Sequence, residues 1–199
     1  MFKRRKKITL GDKILGFIWP AIGWRRAIAY SMHRLARMPD TVYAISGGFA
    51  CGAAMSFTPF VGLHFVLSGV LAWIIRANII ASAIGTAIGN PWTFPFIWTW
   101  LYKSGIWMTS GGQLEAAKAP EFGKVFGHIL QALLSLDVQY LMDTAGPVFW
   151  PMFVSGVPTA FVIWWVFYLP LKYIVRGHQQ RRLRKRSERV TANGKEQGQ

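Results

Sequence analysis

Arg76 and His64 are the side chains with the clearest chemical potential, because they lie in a stretch that is otherwise nearly free of charge. Between residues 41 and 102, Arg76 is the only charged residue and His64 is the only histidine. A guanidinium can hold a phosphate or a carboxylate through two parallel hydrogen bonds. An ionisable side chain in apolar surroundings is costly and points to a functional site. The structural alternatives, which we favour, are an interfacial arginine at a helix end and a hydrogen-bonded interior histidine.

Polar residues beside prolines extend this candidate site. Pro59 and Pro91 interrupt long apolar runs, and each directly follows a polar residue. If helices begin at these two breaks, their free backbone N–H groups favour an anion at the positive ends of the helix dipoles. Alternatively, the polar residues satisfy backbone groups that the prolines release. The predicted ligand site for an anionic headgroup consists of Thr58, His64, Arg76, Asn78, Asn90 and Thr93, and the predicted structural breaks are Pro59, Gly62, Pro91 and Pro95.

No catalytic signature accompanies these residues. The chain contains no nucleophile motif, no glycine-rich phosphate loop, and no cysteine and histidine spacing typical of zinc. We therefore predict that the protein is not an enzyme and has no cofactor and no metal. A reaction on a lipid-linked substrate through His64 is the remaining catalytic alternative. Asp and Glu are absent from the apolar segments, residues 41–102 and 144–171, which argues against a carboxylate proton relay or a cation pathway.

The composition indicates a membrane protein. Hydrophobic residues make up 52% of the chain and charged residues only 16%, whereas ordinary globular proteins carry about 25% charged residues. The net charge of +15 is concentrated at the ends, with ten Lys and Arg in residues 1–37 and nine in residues 172–199. Basic clusters next to apolar segments mark the cytoplasmic side and attract anionic lipid headgroups. Membrane lipids are therefore the expected partners, and nucleic acid is disfavoured as a partner. The sequence leaves open whether the chain forms a homo-oligomer.

The apolar segments predict an all-α, multi-pass membrane protein. Residues 41–75 are long enough for two short helices that turn at Thr58 and Pro59, either as a spanning hairpin or as a re-entrant one. Residues 77–102 fit one crossing with a kink at Asn90 and Pro91. The predicted fold is therefore about four short or broken transmembrane helices, or two crossings plus a re-entrant hairpin, with amphipathic interfacial helices.

The remaining residues complete this organisation, with both termini in the cytoplasm. The predicted parts are a basic tail and interfacial helix (1–40, the helix over 20–38), a membrane domain (41–172), an outer loop with an amphipathic helix (103–147), a last membrane helix (148–171) and a basic cytoplasmic tail (173–199). A helix break near Pro158 and disorder after about residue 187 are also expected.

Two small-residue motifs of the form G-x-A-x-G occur at residues 48–52 and 85–89, and each precedes one of the breaks. Interrupted segments in corresponding positions indicate a binding site near the membrane midplane in transporters. The alternative, which we favour, is that small residues let two helices approach closely.

A family resemblance rests on uncommon residues that occur in order along the chain. They are Thr58-Pro59-Phe60-Val61-Gly62-Leu63-His64, Arg76-Ala77-Asn78, Gly85-Thr86 and Asn90-Pro91-Trp92-Thr93-Phe94-Pro95. Over about residues 20–172 the chain resembles the bacterial membrane family catalogued as domain of unknown function 2062. The resemblance implies a small multi-pass bacterial membrane protein and leaves its biochemical role open.

Together these observations predict an integral protein of the bacterial inner membrane. We expect its broken helices to bind or translocate an anionic lipid or a lipid-linked carrier. The alternative is a non-transporting scaffold whose basic tails organise partner proteins or anionic lipids.

Overall fold

The regular secondary structure in the described part of the chain is entirely helical. The computed structural model describes residues 24–60, 62–111, 120–121, 123–124, 127 and 138–196. Its helices are α1 (Trp24–Arg37), α2 (Val42–Ser56), α3 (His64–Ile74), α4 (Ile79–Gly85) with a following 3₁₀ turn (Thr86–Ile88), α5 (Phe94–Thr109) and α6 (Val138–Glu196). The all-α prediction is confirmed for these residues, whereas the predicted amphipathic helix of the outer loop lies largely outside them.

The chain divides into two compact units, residues 1–39 and residues 40–199. In the first unit, α1 lies within the predicted interfacial helix of residues 20–38. Arg34 and Arg37 occupy its last turn, where positive charge interacts favourably with the helix dipole. The basic tail that precedes α1 lies outside the described residues.

In the second unit, α2 and α3 form a short antiparallel hairpin. α2 begins at Thr41, whose hydroxyl accepts a hydrogen bond from the N–H of Ala44 at 3.1 Å. The turn between the helices contains Gly62 at a φ of +82°, a conformation that favours glycine. At the open end, the hydroxyl of Tyr43 donates to the carbonyl of Ile75 at 3.0 Å. With 15 and 11 residues, the two helices are about 22 and 16 Å long.

α3 ends in a Schellman motif that has arginine where glycine is usual. The N–H of Arg76 donates to the carbonyl of Trp73 at 3.0 Å, and the N–H of Ala77 donates to the carbonyl of Ala72 at 2.7 Å. Arg76 has a φ of +54°, a left-handed conformation that costs a non-glycine residue about 1–2 kcal/mol. Local backbone stability therefore does not explain an arginine at this position.

α4 runs parallel to α2 and approaches it closely because glycines line the contact. A Cβ atom at Gly48 would overlap the carbonyl oxygen of Asn78, and one at Gly52 would overlap the carbonyl oxygen of Ser82. Gly85 packs from α4 against the backbone of α2 in the same way. The two G-x-A-x-G motifs thus pack on each other, and their interpretation as helix-packing motifs is confirmed.

α6 is a continuous helix of 59 residues, about 88 Å long, with four prolines inside it. α5 and α2 lie one after the other along α6, both antiparallel to it. The hydroxyl of Ser155 donates to the carbonyl of Leu101 on α5 at 2.6 Å, and the ring of Phe167 lies 5.9 Å from that of Phe49 on α2. The expected break near Pro158 is wrong, because this packing supports the helix on both sides of the proline.

The helix also continues to Glu196, so the disorder expected after residue 187 is wrong for residues 188–196, and residues 197–199 lie outside the described part of the chain. Arg184 and Glu188 form an ion pair at 3.0 Å one helical turn apart, which gives modest local support. A polar segment can extend a helix that is already formed, because elongation avoids the unfavourable nucleation step.

Within the described residues, one helix is long and apolar enough to cross a membrane by length and composition, at Ala145–Arg184 in α6. α2, α3 and the segment Ile79–Ile88 are also apolar but shorter. A crossing elsewhere in the described chain requires short helices to act together across the breaks between them.

Candidate functional site

The structure divides the predicted ligand residues into two groups. The ring of His64 lies 5.7 Å from that of Phe94 at the start of α5, so the tip of the hairpin and the second break are neighbours. The first group, which lies at the hairpin tip and the second break, consists of Thr58, His64, Asn90 and Thr93. Arg76 and Asn78 lie at the opposite end of α3, whose 11 residues separate the groups by about 16 Å.

Asn90 and Thr93 organise the break that precedes α5. The side-chain oxygen of Asn90 accepts hydrogen bonds from the N–H groups of Trp92 at 2.9 Å and Thr93 at 3.1 Å. The hydroxyl of Thr93 donates to the carbonyl of Ile88 at 2.6 Å. The N–H of Phe94 donates to the carbonyl of Asn90 at 2.9 Å. Stabilisation of the local backbone therefore accounts for both polar side chains.

Thr58 and His64 stabilise the hairpin turn. The hydroxyl of Thr58 donates to the carbonyl of Met55 at 2.7 Å. His64 is only 3% exposed, and its Nδ1 accepts a hydrogen bond from the N–H of Gly62 at 3.1 Å. The neutral ring then carries its proton on Nε2, an atom without a hydrogen-bond partner among the described residues. His64 is thus an interior residue of the turn.

Asn78 and Asp40 connect the starts of α2 and α4 to the side of α6. The side-chain oxygen of Asn78 accepts the N–H of Ala81 at 2.8 Å and so caps α4, while its amide donates to the Asp40 carboxylate at 2.9 Å. The same carboxylate accepts the N–H of Thr41 at 2.7 Å at the start of α2. From α6, the amide of Gln179 donates to the backbone carbonyl of Asp40 at 2.9 Å. This junction fixes the position of the segment that carries Arg76.

Exchanging the two partners tests this junction. Asn78→Asp keeps the acceptor that caps α4 but places a second carboxylate beside Asp40. We expect it to lower the free energy of unfolding by about 1 kcal/mol. Adding Asp40→Asn restores a donor and acceptor pair and should recover most of the loss. Thermal unfolding of the two single variants and the double variant measures the coupling, and purely additive losses would contradict a direct interaction.

An apolar groove of about 650 Å³ lies between α3 and α6, and α2 also contributes to its lining. This volume is within the range of about 300–1,000 Å³ that is typical of small-molecule sites. Apart from Thr58, no predicted ligand residue lines it. Its lining residues are Tyr43, Ala54, Met55, Thr58, Pro59, Phe60, Leu67, Leu71, Ile75, Phe153, Gly156, Val157, Ala160, Phe161, Trp164 and Trp165.

Two cationic residues lie just beyond one end of this groove, one after each of its two walls. Ile75, which directly follows α3, is the last lining residue on that wall, and the exposed Arg76 comes next. On α6, the Nζ of Lys172 lies 5.6 Å from the ring centroid of Tyr168. That ring lies 6.3 Å from the ring of Tyr43, which lines the groove at the same end. Neither cation forms an ion pair with an acidic side chain among the described residues.

Sequence patterns did not predict the roles of Asp40, Tyr43, Lys172 or the aromatic wall of α6. A signal for the wall was present, because apolar residues recur at intervals of three and four along this segment. They are Phe153, Val157, Phe161, Trp164 and Tyr168. This spacing describes one face of a helix. Asp40 directly precedes Thr41, a combination that is typical of a helix start.

Comparison with known proteins gives one family. The family model described as "Uncharacterized protein conserved in bacteria (DUF2062)" matches residues 25–184. Neither a curated protein nor a solved structure matches the chain. The matched region includes the hairpin, both breaks and the groove.

Proposed function

The chain belongs to this bacterial family, and from that premise we propose that it is an integral inner-membrane protein that binds, or binds and translocates, an anionic lipid or lipid-linked carrier. The ligand lies in the groove between α3 and α6. Its negatively charged headgroup lies at the end that carries Arg76 and Lys172, and its hydrocarbon part lies along the apolar walls.

The proposed membrane arrangement follows from helix lengths and contacts. A crossing helix needs about 20 residues, so α2 and α3 enter and leave the membrane on the cytoplasmic side as a re-entrant hairpin. α4, its 3₁₀ turn and α5 together form one broken crossing, which lies antiparallel to α6. α6 provides the return crossing and leaves the basic C-terminus in the cytoplasm. Both termini are therefore on the side of Arg76.

Exposed apolar side chains support this environment. Trp73 on α3, Phe96 on α5 and Phe161 on α6 are 70%, 79% and 66% exposed, respectively. Apolar surfaces distributed over three helices are unfavourable in water and rare on soluble monomers. Contact with lipid chains removes this cost.

The observation that carries the proposal is the pairing of an apolar groove with cations at one end. Arg76 adds to it, because the residue adopts a strained backbone conformation that glycine would adopt without cost. A guanidinium at that position can bind a phosphate through two hydrogen bonds. The positive charge of Arg76 thus explains the presence of arginine at this position, which local backbone stability does not explain.

The second candidate function is a membrane scaffold without transport. One observation favours it: beyond Gln179, α6 continues as a helix with exposed Arg181, Arg182 and Arg184. Such a surface can hold an acidic partner in the cytoplasm. Deleting residues 180–199 should abolish partner recruitment by a scaffold and leave lipid binding in the groove intact.

Arg76→Gly separates the electrostatic role of Arg76 from a structural one. Glycine relieves the left-handed strain, so we expect the thermal stability to be maintained or raised. At the same time the variant loses one cation, and a basic residue near a membrane surface contributes about 1 kcal/mol to the binding of anionic lipid. Combined with Lys172→Ala, the expected loss in retention of anionic lipid is about thirtyfold.

Native mass spectrometry of the purified full-length protein with phosphatidylglycerol and phosphatidylethanolamine measures this retention. Lys103→Ala is the matched control, because it removes a cation from α5 that does not line the groove. Equal retention of phosphatidylglycerol by the wild type and the Arg76→Gly/Lys172→Ala protein would refute the proposed headgroup site.

A further inference from the structure

We propose that the groove holds a single acyl chain of an anionic glycerophospholipid from the cytoplasmic leaflet, and that Phe60, Phe149 and Phe153 form an end stop that selects its length. This inference rests on the proposed lipid-binding function. It adds the chemical class of the ligand, its orientation and the residues that determine specificity.

The length of the groove matches one leaflet. Its α6 wall extends from Phe153 to Trp165, which at 1.5 Å per residue is about 18 Å. The hydrocarbon core of a bilayer is about 30 Å thick, so one leaflet accounts for about 15 Å. An acyl chain whose headgroup remains at the cytoplasmic surface can therefore lie along the groove for its whole length.

An aromatic cluster closes the end of the groove that lies away from the cations. The ring of Phe60, in the hairpin turn, lies 5.5 Å from that of Phe149 and 6.1 Å from that of Phe153 in edge-on arrangements. The rings of Phe149 and Phe153 stack on each other at 6.3 Å. Phe60 and Phe153 line the groove, so the methyl end of a bound chain meets these two rings. A longer chain has to leave the groove at this point.

The opposite end suits a headgroup that carries a phosphate. The hydroxyl of Tyr43 marks the end of the apolar lining through its hydrogen bond to Ile75, and Arg76 and Lys172 lie beyond the lining residues of the two walls. A glycerophospholipid places its phosphate directly above its chains and fits this order. A polyprenyl carrier has a chain much longer than one leaflet and would extend past the aromatic stop. The groove therefore favours the glycerophospholipid.

The test uses full-length protein and a series of phosphatidylglycerols with increasing acyl length, with lipid retention measured by native mass spectrometry. We expect retention by the wild type to rise with length until the groove is filled and then to stop rising. Below that length, each methylene that the groove loses should weaken retention, because the chain makes fewer packing contacts with the groove walls. Phe60→Ala should move the plateau to longer chains and Phe60→Trp to shorter ones. Phe153→Ala provides a second test of the stop if a change in the turn prevents folding.

Val157→Trp tests whether the chain lies in the groove itself. Val157 lines the groove and is 62% exposed, so a tryptophan there should obstruct the chain and reduce retention about tenfold or more. Val166→Trp is the matched control, because Val166 lies on the opposite face of α6, is 54% exposed and does not line the groove.

The outcomes separate this inference from the proposed function. Retention of phosphatidylglycerol over phosphatidylethanolamine with no length plateau, or with the same plateau in the Phe60 variants, would overturn the end stop and leave anionic lipid binding intact. Stronger competition by a polyprenyl phosphate would overturn the assignment of a glycerophospholipid. Equal retention of both headgroups by the wild type would overturn the proposed function itself.

Discussion

Gly48→Ala should destabilise the protein strongly, whereas Gly47→Ala, one residue earlier on α2, should be tolerated. A Cβ atom at Gly48 would overlap the backbone carbonyl of Asn78 and crowd the side chain of Ala81. The carbonyl belongs to the capped start of α4, which the junction with Asp40 holds in place. Such overpacking costs typically 1–3 kcal/mol, and we expect a value at or above about 3 kcal/mol because a helix backbone has to move.

We expect the control substitution, Gly47→Ala, to change the thermal stability in the opposite direction. At Gly47, the nearest atoms to a new Cβ are Ala77 Cβ at 3.6 Å and side-chain atoms at 3.9 Å, which are ordinary van der Waals contacts. Replacing glycine by alanine within a helix then gains about 0.5–1 kcal/mol. Thermal unfolding of the three proteins in the same detergent, followed by tryptophan fluorescence, gives the comparison. Equal midpoints for the two variants would show that α2 and α4 do not pack through Gly48.

This contact shows what the sequence made predictable. The glycine spacing, the uncharged segment and the two prolines were sufficient to infer a hairpin with a turn at Pro59 and a second break at Pro91. They also indicated close helix packing through the G-x-A-x-G motifs. These features depend on local backbone chemistry, in which the positions of glycine and proline decide the conformation.

Features that depend on tertiary packing were not predictable in the same way. Pro158 has the local signature of a break, yet α6 stays helical because α2 and α5 pack along it. The candidate site shows the same limit. Asn90 and Thr93 were predicted as ligand residues beside a break, and their side chains hydrogen bond to the backbone of that break. Asn78 was also predicted as a ligand residue, and its side chain caps α4 and hydrogen bonds to Asp40. The groove is built from residues up to about 120 positions apart, such as Tyr43 and Trp165, and no local pattern joins them.

Cysteine labelling should distinguish a re-entrant hairpin from a spanning one, and here the expected effect is all or none. Cys51 is the only cysteine and is fully buried, so Cys51→Ala provides a background for single introduced cysteines. With a membrane-impermeant maleimide, Arg181→Cys should be labelled from the cytoplasmic side only. Ser110→Cys, at the end of α5, should be labelled from the periplasmic side only. Leu63→Cys, at the hairpin tip, should be labelled from neither side in intact membranes.

The physical reason is the length of the two hairpin helices. Leu63 is 59% exposed in the protein structure, so we expect the protection of a cysteine there to come from the surrounding lipid. α2 extends about 22 Å from its start, which leaves the tip about 8 Å short of the far side of a 30 Å hydrocarbon core. Labelling after detergent solubilisation is the control, because it should expose Leu63→Cys without unfolding the protein. Labelling of Leu63→Cys from the periplasm of intact cells would mean that the hairpin spans the membrane and that the groove is not confined to one leaflet.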